Sequence, residues 1–221
     1  MSRAPRLPPA ERRAELAAAA RDLTLSDGLA AVTLRSVAGR AGVTPALVAH
    51  YHPAMDQLVA SAFSAVVGAE LAEVSALVVS GGTATEKVAV LLRTLLDGTR
   101  DDVTVVWVEA WALGRRNEAL AAAVREQMDA WQALILTVVE EGVAAGDFTA
   151  DDPAQAAWQL LGVIDGLNAQ ALVRWGAGGD RGPVLARAVE GMLGLPRGAL
   201  DLAAATAPGR TARASAGAPE S

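Results

Sequence analysis

The chain has 221 residues, of which 52% are hydrophobic, so it is long enough for a small domain beside a larger one with a substantial core. The absence of cysteine excludes disulfide bonds and thiolate chemistry, and a formal net charge of −6 argues against a protein that binds phosphate over its whole surface. The charge is uneven, because residues 1–58 carry seven arginines against five acidic side chains, which suits contact with phosphate at one end only.

Apolar residues recur with the helical period of 3.6 along most of the chain and alternate with a period of two almost nowhere, which predicts an all-α fold. Residues 1–8 are rich in proline and arginine, so we expect a flexible basic arm there rather than a signal peptide. Arg3 and Arg6 in this arm either reach a groove or backbone of nucleic acid or form a free basic tail. The first helix is predicted from Pro9 to Ser26.

The segment 33–58 contains the most informative pattern in the chain. Gly42 marks a tight turn after a short helix whose apolar stripe begins at Leu34. Thr44 can cap the next helix, and Pro45 suits its first position. Two short helices joined by so tight a turn make a helix-turn-helix, whose second helix lies in the major groove of DNA. The sequence therefore predicts binding to double-stranded DNA.

The second helix of this motif supplies the predicted base contacts. Small outward residues there can offer apolar contact to thymine methyl groups but no bidentate hydrogen bonds, while His50 can bond a base or a phosphate. Thr33, Thr44 and Tyr51 are expected to position phosphates. The alternative is that His50 and Tyr51 only pack. The outward positions are expected to be Pro45, Ala46, Ala49 and His50, and the inward ones Val43, Val48 and His52, with the facing of Leu47 left open.

Six further helices are predicted downstream, each from a start or stop signal. The run Thr83-Ala84-Thr85-Glu86 is a capping box, Asn117 can cap a long helix, and Asp152 is a cap followed by proline. From Ala203 onward the sequence is too poor in large apolar groups to fold alone. The predicted helices span about residues 54–79, 83–98, 102–114, 117–145, 152–175 and 183–193.

Two of these helices carry more apolar residues than one buried face requires, over residues 120–143 and 156–175. The surplus indicates burial on two sides, within the subunit and against a second copy, although a helix central to its own domain would show the same pattern. A two-fold homodimer would present two heads to a palindromic DNA site.

Five tryptophans beside two phenylalanines and one tyrosine indicate an apolar cavity in the helical body. Trp107 and Trp111 are four residues apart and share a helix face, where packing in the core is the alternative to ligand contact. Tryptophan faces attract cations and flat apolar molecules. Asp165 lies in an apolar stretch and must bind an indole N–H or a ligand cation. The candidate ligand-pocket residues are Trp107, Glu109, Trp111, Trp131, Trp158, Asp165 and Asn168, with Gln170 and Trp175 nearby.

Catalytic, metal and membrane signals are weak throughout. Both histidines lie in the head, and the sequence offers no triad, metal-spaced cluster or phosphate loop, so we expect no enzyme, metal or cofactor. The best candidate membrane span, residues 156–173, is interrupted by four polar residues, so no membrane partner is expected. A cytoplasmic location is the default.

The full length of the chain resembles the TetR family of bacterial regulators. The resemblance rests on the head motif, which runs from Leu34 to Leu58, and on Trp107, Trp111, Trp131 and the run from Ile164 to Leu167 in the body. His50-Tyr51 in the recognition helix is similar to the betaine-repressor, or BetI-like, branch. His52, Met55 and Ala49 depart from the usual phenylalanine, lysine and tyrosine of the family. Loss of the lysine removes one charge-assisted phosphate contact.

The resemblance implies a small-molecule-responsive regulator, most simply a repressor released from a palindromic operator, with a betaine-like or choline-like effector. The alternative is an all-helical small-molecule carrier or enzyme with a vestigial head, which the changes at Met55 and Ala49 would fit. The predicted division is a basic arm (1–8), a DNA-binding head (9–54), a ligand-binding and dimerisation body (55–196) and a disordered tail (197–221).

Overall fold

The computed structural model describes residues 7–175, 182–200 and 202. Over these residues the chain forms α-helices, one short 3-10 helix and no strand, which confirms the predicted all-α fold. The helices are α1 (Pro9–Asp27), α2 (Leu34–Arg40), α3 (Pro45–Tyr51), α4 (Met55–Val79), α5 (Ala84–Leu96), α6 (Asp101–Gly114), α7 (Glu118–Ala145), α8 (Pro153–Leu172) and α9 (Gly182–Leu193).

The predicted start signals are confirmed as caps. The Thr83 hydroxyl accepts a hydrogen bond from the Glu86 N–H, and the Glu86 carboxylate accepts one from the Thr83 N–H at 2.8 Å. The Asn117 side chain accepts from the third residue of α7, and the Asp152 carboxylate accepts from Gln155, both at 3.0 Å. These bonds satisfy N–H groups that the first helical turn leaves without partners. A capping residue and its bonding partner three positions later therefore identify the start of each helix from the sequence.

Two local features differ from the sequence prediction. A 3-10 helix, Leu29–Ala31, links α1 to α2. Helix α8 ends at Leu172, three residues earlier than predicted, because Arg174 adopts a left-handed φ of 57° and the Trp175 N–H bonds back to the Gln170 carbonyl. This is the hydrogen-bond pattern of a Schellman stop, which the sequence hides because an arginine occupies the position that glycine usually takes.

Two apolar cores are joined by one helix. A small core in the head contains Leu16, Val37 and Val48, and a larger one in the body lies between α4 and the later helices. Helix α4 enters both cores, with Leu58 in the first and Phe63 in the second. It packs against α1 on the head side and against α7 in the body, so the two cores cannot shift independently of α4.

The body extends past residue 196, where we predicted its end. Leu200 is 4% exposed and joins the body core, and the buried Glu190 carboxylate of α9 accepts hydrogen bonds from the N–H groups of Gly198 and Leu200. Residues 197–200 therefore pack on the body because a buried carboxylate binds their backbone. Leu202 is half-buried against the same core. The other residues of the predicted tail lie outside the described residues, as do Arg3 and Arg6.

Among the described residues, α4 is the one helix long and apolar enough to cross a membrane, with a mean hydropathy of 1.7. The segment that the sequence singled out, 156–173, is not that helix. Helix α4 passes through both cores, and packing there accounts for part of its apolar composition.

Candidate nucleic-acid interface and internal cavity

The motif in the head presents a short capped helix with one buried side. The Thr44 hydroxyl accepts from the Leu47 N–H at 3.3 Å, Pro45 occupies the first turn, and Val48 is fully buried in the head core. On the other side Pro45, Ala46 and His50 are exposed, and Ala49 is half-buried. Val43 and His52 are half-buried, and so is Leu47, whose facing the sequence left open.

Thr33 and Thr44, predicted to position phosphates, both cap helices. Thr33 lies at the start of α2, where it forms a capping box with Ser36, and both threonines are exposed. Tyr51 is half-buried against the head core, with its ring 5.1 Å from that of His50 in an edge contact. It therefore packs and also borders the exposed histidine.

One basic residue next to this helix was missed from the sequence. The guanidinium of Arg13, on α1, lies 5.7 Å from the centroid of the Tyr51 ring, and Arg13 is exposed. Cation–π contacts of this kind orient an arginine while its N–H groups stay available. The excess of arginine over acidic residues in residues 1–58 was the only sign of this contact in the sequence. Which arginine lies near α3 is decided by folding, which brings α1 beside α3.

A small cavity of about 40 Å³ lies in the body. Helices α4 to α8 all contribute to it, and none of the described residues that line it is basic. Four of the predicted pocket residues line the cavity, and six others were missed. The predicted ones are Trp107, Trp131, Asp165 and Asn168, and the missed ones are Glu70, Leu95, Thr104, Met128, Leu161 and Ile164.

Two acidic groups in this cavity have perturbed pKa values. Burial raises the pKa of Glu70 to about 7, against a smaller lowering by Arg100 and by hydrogen bonding from Trp107. Burial raises the pKa of Asp165 to about 6. No hydrogen bond from the described part of the chain reaches Asp165, so the indole partner proposed from the sequence belongs to Glu70 instead. A nearby cation would favour the ionised form of both groups.

The remaining predicted pocket residues lie elsewhere. Trp111 packs beside Trp107, with ring centroids 5.9 Å apart, and does not line the cavity. Trp158 is 65% exposed on the outer face of α8. Glu109 lies at the joint between head and body, where its carboxylate accepts a hydrogen bond from the Leu29 N–H. Glu109 was misplaced because its partner is 80 residues away in the chain and belongs to a turn that the periodicity did not predict.

Family models match both parts of this arrangement. Residues 16–62 match the N-terminal domain of bacterial regulatory proteins of the TetR family, and residues 84–194 match the C-terminal domain of BetI-type transcriptional repressors. The chain belongs to the TetR family. It is a DNA-binding transcriptional regulator, in a family of which ligand-responsive repression is typical.

Solved TetR-like structures share the fold at low sequence identity. A protein described as a transcriptional regulator from Pseudomonas aeruginosa PAO1 is 22% identical, with a TM-score of 0.69 over 86% of this chain and 91% of its own. A regulator from Saccharomonospora viridis, in complex with choline, is 23% identical, with a TM-score of 0.66 over 77% of this chain and 88% of its own. No curated protein matches the chain.

The departures from the TetR pattern have visible consequences. Met55, where the family usually has lysine, is half-buried and packs against the head core. A lysine at this position would extend towards a phosphate, whereas the methionine makes apolar contacts with the head core. His52 is half-buried, and its Nε2 atom has no hydrogen-bond partner among the described residues. No group of three or more potential metal ligands occurs in the described ranges.

Proposed function

We propose that this TetR-family regulator binds a palindromic operator as a homodimer, represses transcription in the cytoplasm and is released by a small organic cation. The observation that carries the proposal is the pairing of an exposed, capped α3 with a body cavity that is lined by one buried and one half-buried carboxyl group and by no basic residue. The first binds DNA and the second binds the signal.

The proposed DNA contacts are of two kinds. Apolar contact with thymine methyls comes from Pro45, Ala46 and Ala49, and His50 bonds a base or phosphate. Phosphates bind at the capped helix starts of Thr33 and Thr44, at Tyr51 and at Arg13, which lies beside Tyr51. Because few of these side chains form directional bonds to bases, shape and phosphate contacts carry much of the affinity.

The proposed dimer forms through α8 and α9. Trp158 on α8 and Val184 on α9 are 65% and 67% exposed, and between them α8 presents Gly162 and Gly166, whose Cα atoms are open to close approach. Large exposed apolar groups beside glycines suit a helix–helix interface. A two-fold axis through the α8–α9 surface relates the α3 helices of the two subunits. These must lie roughly 34–36 Å apart to bind half-sites one turn of DNA apart.

The effector class follows from the chemistry of the cavity. A cation compensates the cost of ionising Glu70 and Asp165, and the faces of Trp107 and Trp131 add attraction to its charge. The Trp131 Nε1 atom is buried without a partner among the described residues, so an effector with a hydroxyl or carbonyl oxygen gains one further bond. The choline complex of the S. viridis regulator supports this class.

Release is proposed to act through α4. This helix carries Glu70 in the cavity wall and Leu58 in the head core, so a shift at one end moves the other. The effector shifts the equilibrium by its differential affinity for the state in which the two heads are wrongly spaced. A second link between body and head is the hydrogen bond from Leu29 to Glu109, two residues from Trp107 on α6.

A mobility-shift assay with DNA from upstream of the chain's own coding region tests the regulator. We expect a shift at low salt that is lost when His50→Ala and Tyr51→Ala are combined, and weakened by Arg13→Ala. Arg116→Ala, another exposed arginine far from α3 in sequence, is the matched control. If the unaltered protein never shifts this DNA and the variants behave alike, the alternative of a carrier or enzyme with a vestigial head gains support.

A further inference from the structure

The cavity by itself is too small for the proposed effector. Its volume of about 40 Å³ has room for only a few water molecules, whereas a quaternary ammonium ion carries a carbon substituent on every side of its nitrogen. A cation that reaches both Asp165 and the tryptophan faces must therefore use space outside this volume. Two surface grooves border the cavity, and each shares part of the cavity wall.

The first of them, the α7–α8 groove, is separated from the cavity mainly by apolar side chains. It has a volume of about 340 Å³ and shares Met128, Leu161 and Asp165 with the cavity. Met128 is half-buried, and its unbranched side chain changes conformation at little cost. The Asp165 carboxyl group has no hydrogen bond from the described part of the chain, and its pKa is raised by burial alone. Moving Met128 aside therefore breaks no polar contact and opens the cavity into the groove.

The second, the α1–α4 groove, is separated from the cavity by a polar wall. It has a volume of about 410 Å³, and Glu70 is the one described residue that it shares with the cavity. Glu70 is 7% exposed and accepts a hydrogen bond from Trp107, and Arg100, which also lines this groove, is bonded to Glu73 at 2.9 Å. Opening this wall breaks a buried hydrogen bond, which costs more than displacing a methionine.

We propose that the effector site consists of the cavity and the α7–α8 groove together, joined when Met128 moves aside. The proposal rests on the cationic effector inferred above and specifies its shape, an organic cation with an apolar arm longer than the hydroxyethyl group of choline. The charged end lies at Asp165, which borders both spaces, and the arm lies in the groove beside Leu161. The bound ligand then holds open a connection that the free protein keeps closed.

The charges of the α7–α8 groove suit a cation. Asp129 on its rim is exposed and adds a second carboxylate to that of Asp165. Arg125, the one basic side chain among the described residues of the groove, forms an ion pair with Glu118 at 2.6 Å, which offsets its charge. The field in the groove therefore attracts a cation towards Asp165. The outer rim consists of Trp158 and Gly162, which also belong to the proposed dimer surface, so the arm ends beside the second copy.

Labelling of an introduced cysteine tests the opening without a known effector, since the chain contains no cysteine. Ile164 is 2% exposed and lines the cavity but not the groove, so Ile164→Cys reacts with 2-(trimethylammonium)ethyl methanethiosulfonate only when a wall opens. Met128→Ala is expected to raise this labelling rate several-fold. Val139→Cys, at a fully buried position that lines neither the cavity nor a groove, measures the access that global unfolding provides.

Two matched variants distinguish the grooves by filling one or the other. Gln132→Trp fills the α7–α8 groove from its rim, and Ala69→Trp fills the α1–α4 groove from an exposed position on α4. We expect Gln132→Trp to slow the labelling of Ile164→Cys several-fold and Ala69→Trp to leave its rate unchanged. The opposite order would assign the entrance to the α1–α4 groove and overturn the proposal.

Calorimetry with tetramethylammonium chloride and hexyltrimethylammonium chloride tests the arm. We expect the hexyl compound to bind at least about tenfold more tightly, a gain that needs only about two buried methylene groups. Gln132→Trp should abolish this preference, because its side chain takes the space of the arm. Ala69→Trp should leave the preference unchanged.

The outcomes separate this proposal from the proposed function. If Met128→Ala accelerates labelling at positions 164 and 139 equally, or if the two ammonium ions bind with equal affinity, the composite site is wrong and the DNA-binding regulator stands. If neither ammonium ion binds, the cationic effector class fails together with the ligand shape drawn from it. The labelling rates then still decide whether the cavity opens into the α7–α8 groove.

Discussion

Replacing Glu70 by glutamine should make the stability of this protein less dependent on pH. Glu70 is 7% exposed, and burial raises its pKa from 4.5 to about 7. Below pH 4.5 the group is protonated in both the folded and the unfolded chain and opposes folding little. As the pH rises from 4.5 to about 7, the unfolded chain loses this proton while the folded chain keeps it, so stability is lost across this window and the loss is complete above pH 7.

The magnitude follows from the pKa displacement. Each unit of pKa shift corresponds to about 1.36 kcal/mol, so a shift of the Glu70 pKa from 4.5 to about 7 lowers the free energy of unfolding by about 3 kcal/mol once the pH exceeds 7. Glutamine keeps the volume and the acceptor for Trp107 but does not ionise. Glu70→Gln should therefore match the unaltered protein at pH 4 and exceed its free energy of unfolding by up to about 3 kcal/mol at pH 8.

Urea unfolding followed by circular dichroism between pH 4 and pH 8, at one fixed protein concentration, measures this difference. Glu73→Gln is the matched control, because Glu73 lies one turn away on α4 but is exposed and bonded to Arg100 at 2.9 Å. That bond lowers the pKa of Glu73, so its replacement should bring no gain at pH 8. A stability difference for Glu70→Gln that stays constant with pH would refute the reasoning.

Three further predictions concern the cavity, the head and the joint between them. Choline affinity measured by calorimetry should rise between pH 5 and pH 8, because Asp165 and Glu70 ionise with pKa values of about 6 and about 7. The rise should be weaker for Asp165→Asn, and an affinity that falls as the pH rises would contradict a cationic ligand. Met55→Lys should tighten operator binding and steepen its dependence on salt by about one charge in titrations at several salt concentrations, since it restores a phosphate contact; an unchanged salt slope would show that the side chain stays packed. Gly28→Ala should lower stability by at least about 1 kcal/mol in urea unfolding, because Gly28 has a φ of 85° and a Cβ there would lie 2.6 Å from a Glu109 oxygen. Because Glu109→Ala removes both the clash and the bond to the Leu29 N–H, the double variant is compared with Glu109→Ala alone; Gly28→Ala should cost less in that background, and an equal cost would mean that the clash is unimportant.

The sequence by itself determined the helices, their starts and the head motif. Capping is a local interaction, so Thr83 and Asn117 identified the start of α5 and α7 from residues three positions away. The burial of Val48 followed from helical periodicity in the same way. Glu70 could also have been found, because it continues the buried stripe of Phe63, Val67 and Val74 on α4, and an acidic residue in such a stripe indicates a functional group or a buried partner.

Only the tertiary structure decided which tryptophans and acids meet. Trp131 lines the cavity and Trp158 faces solvent, although both lie in apolar helices, because the direction of each depends on which neighbouring helix packs against it. Glu109 bonds to a turn 80 residues earlier, and Arg13 reaches Tyr51 from another helix. Periodicity describes one helix at a time, whereas a cavity or a joint is defined by the packing of several helices, and that packing requires the whole chain to fold.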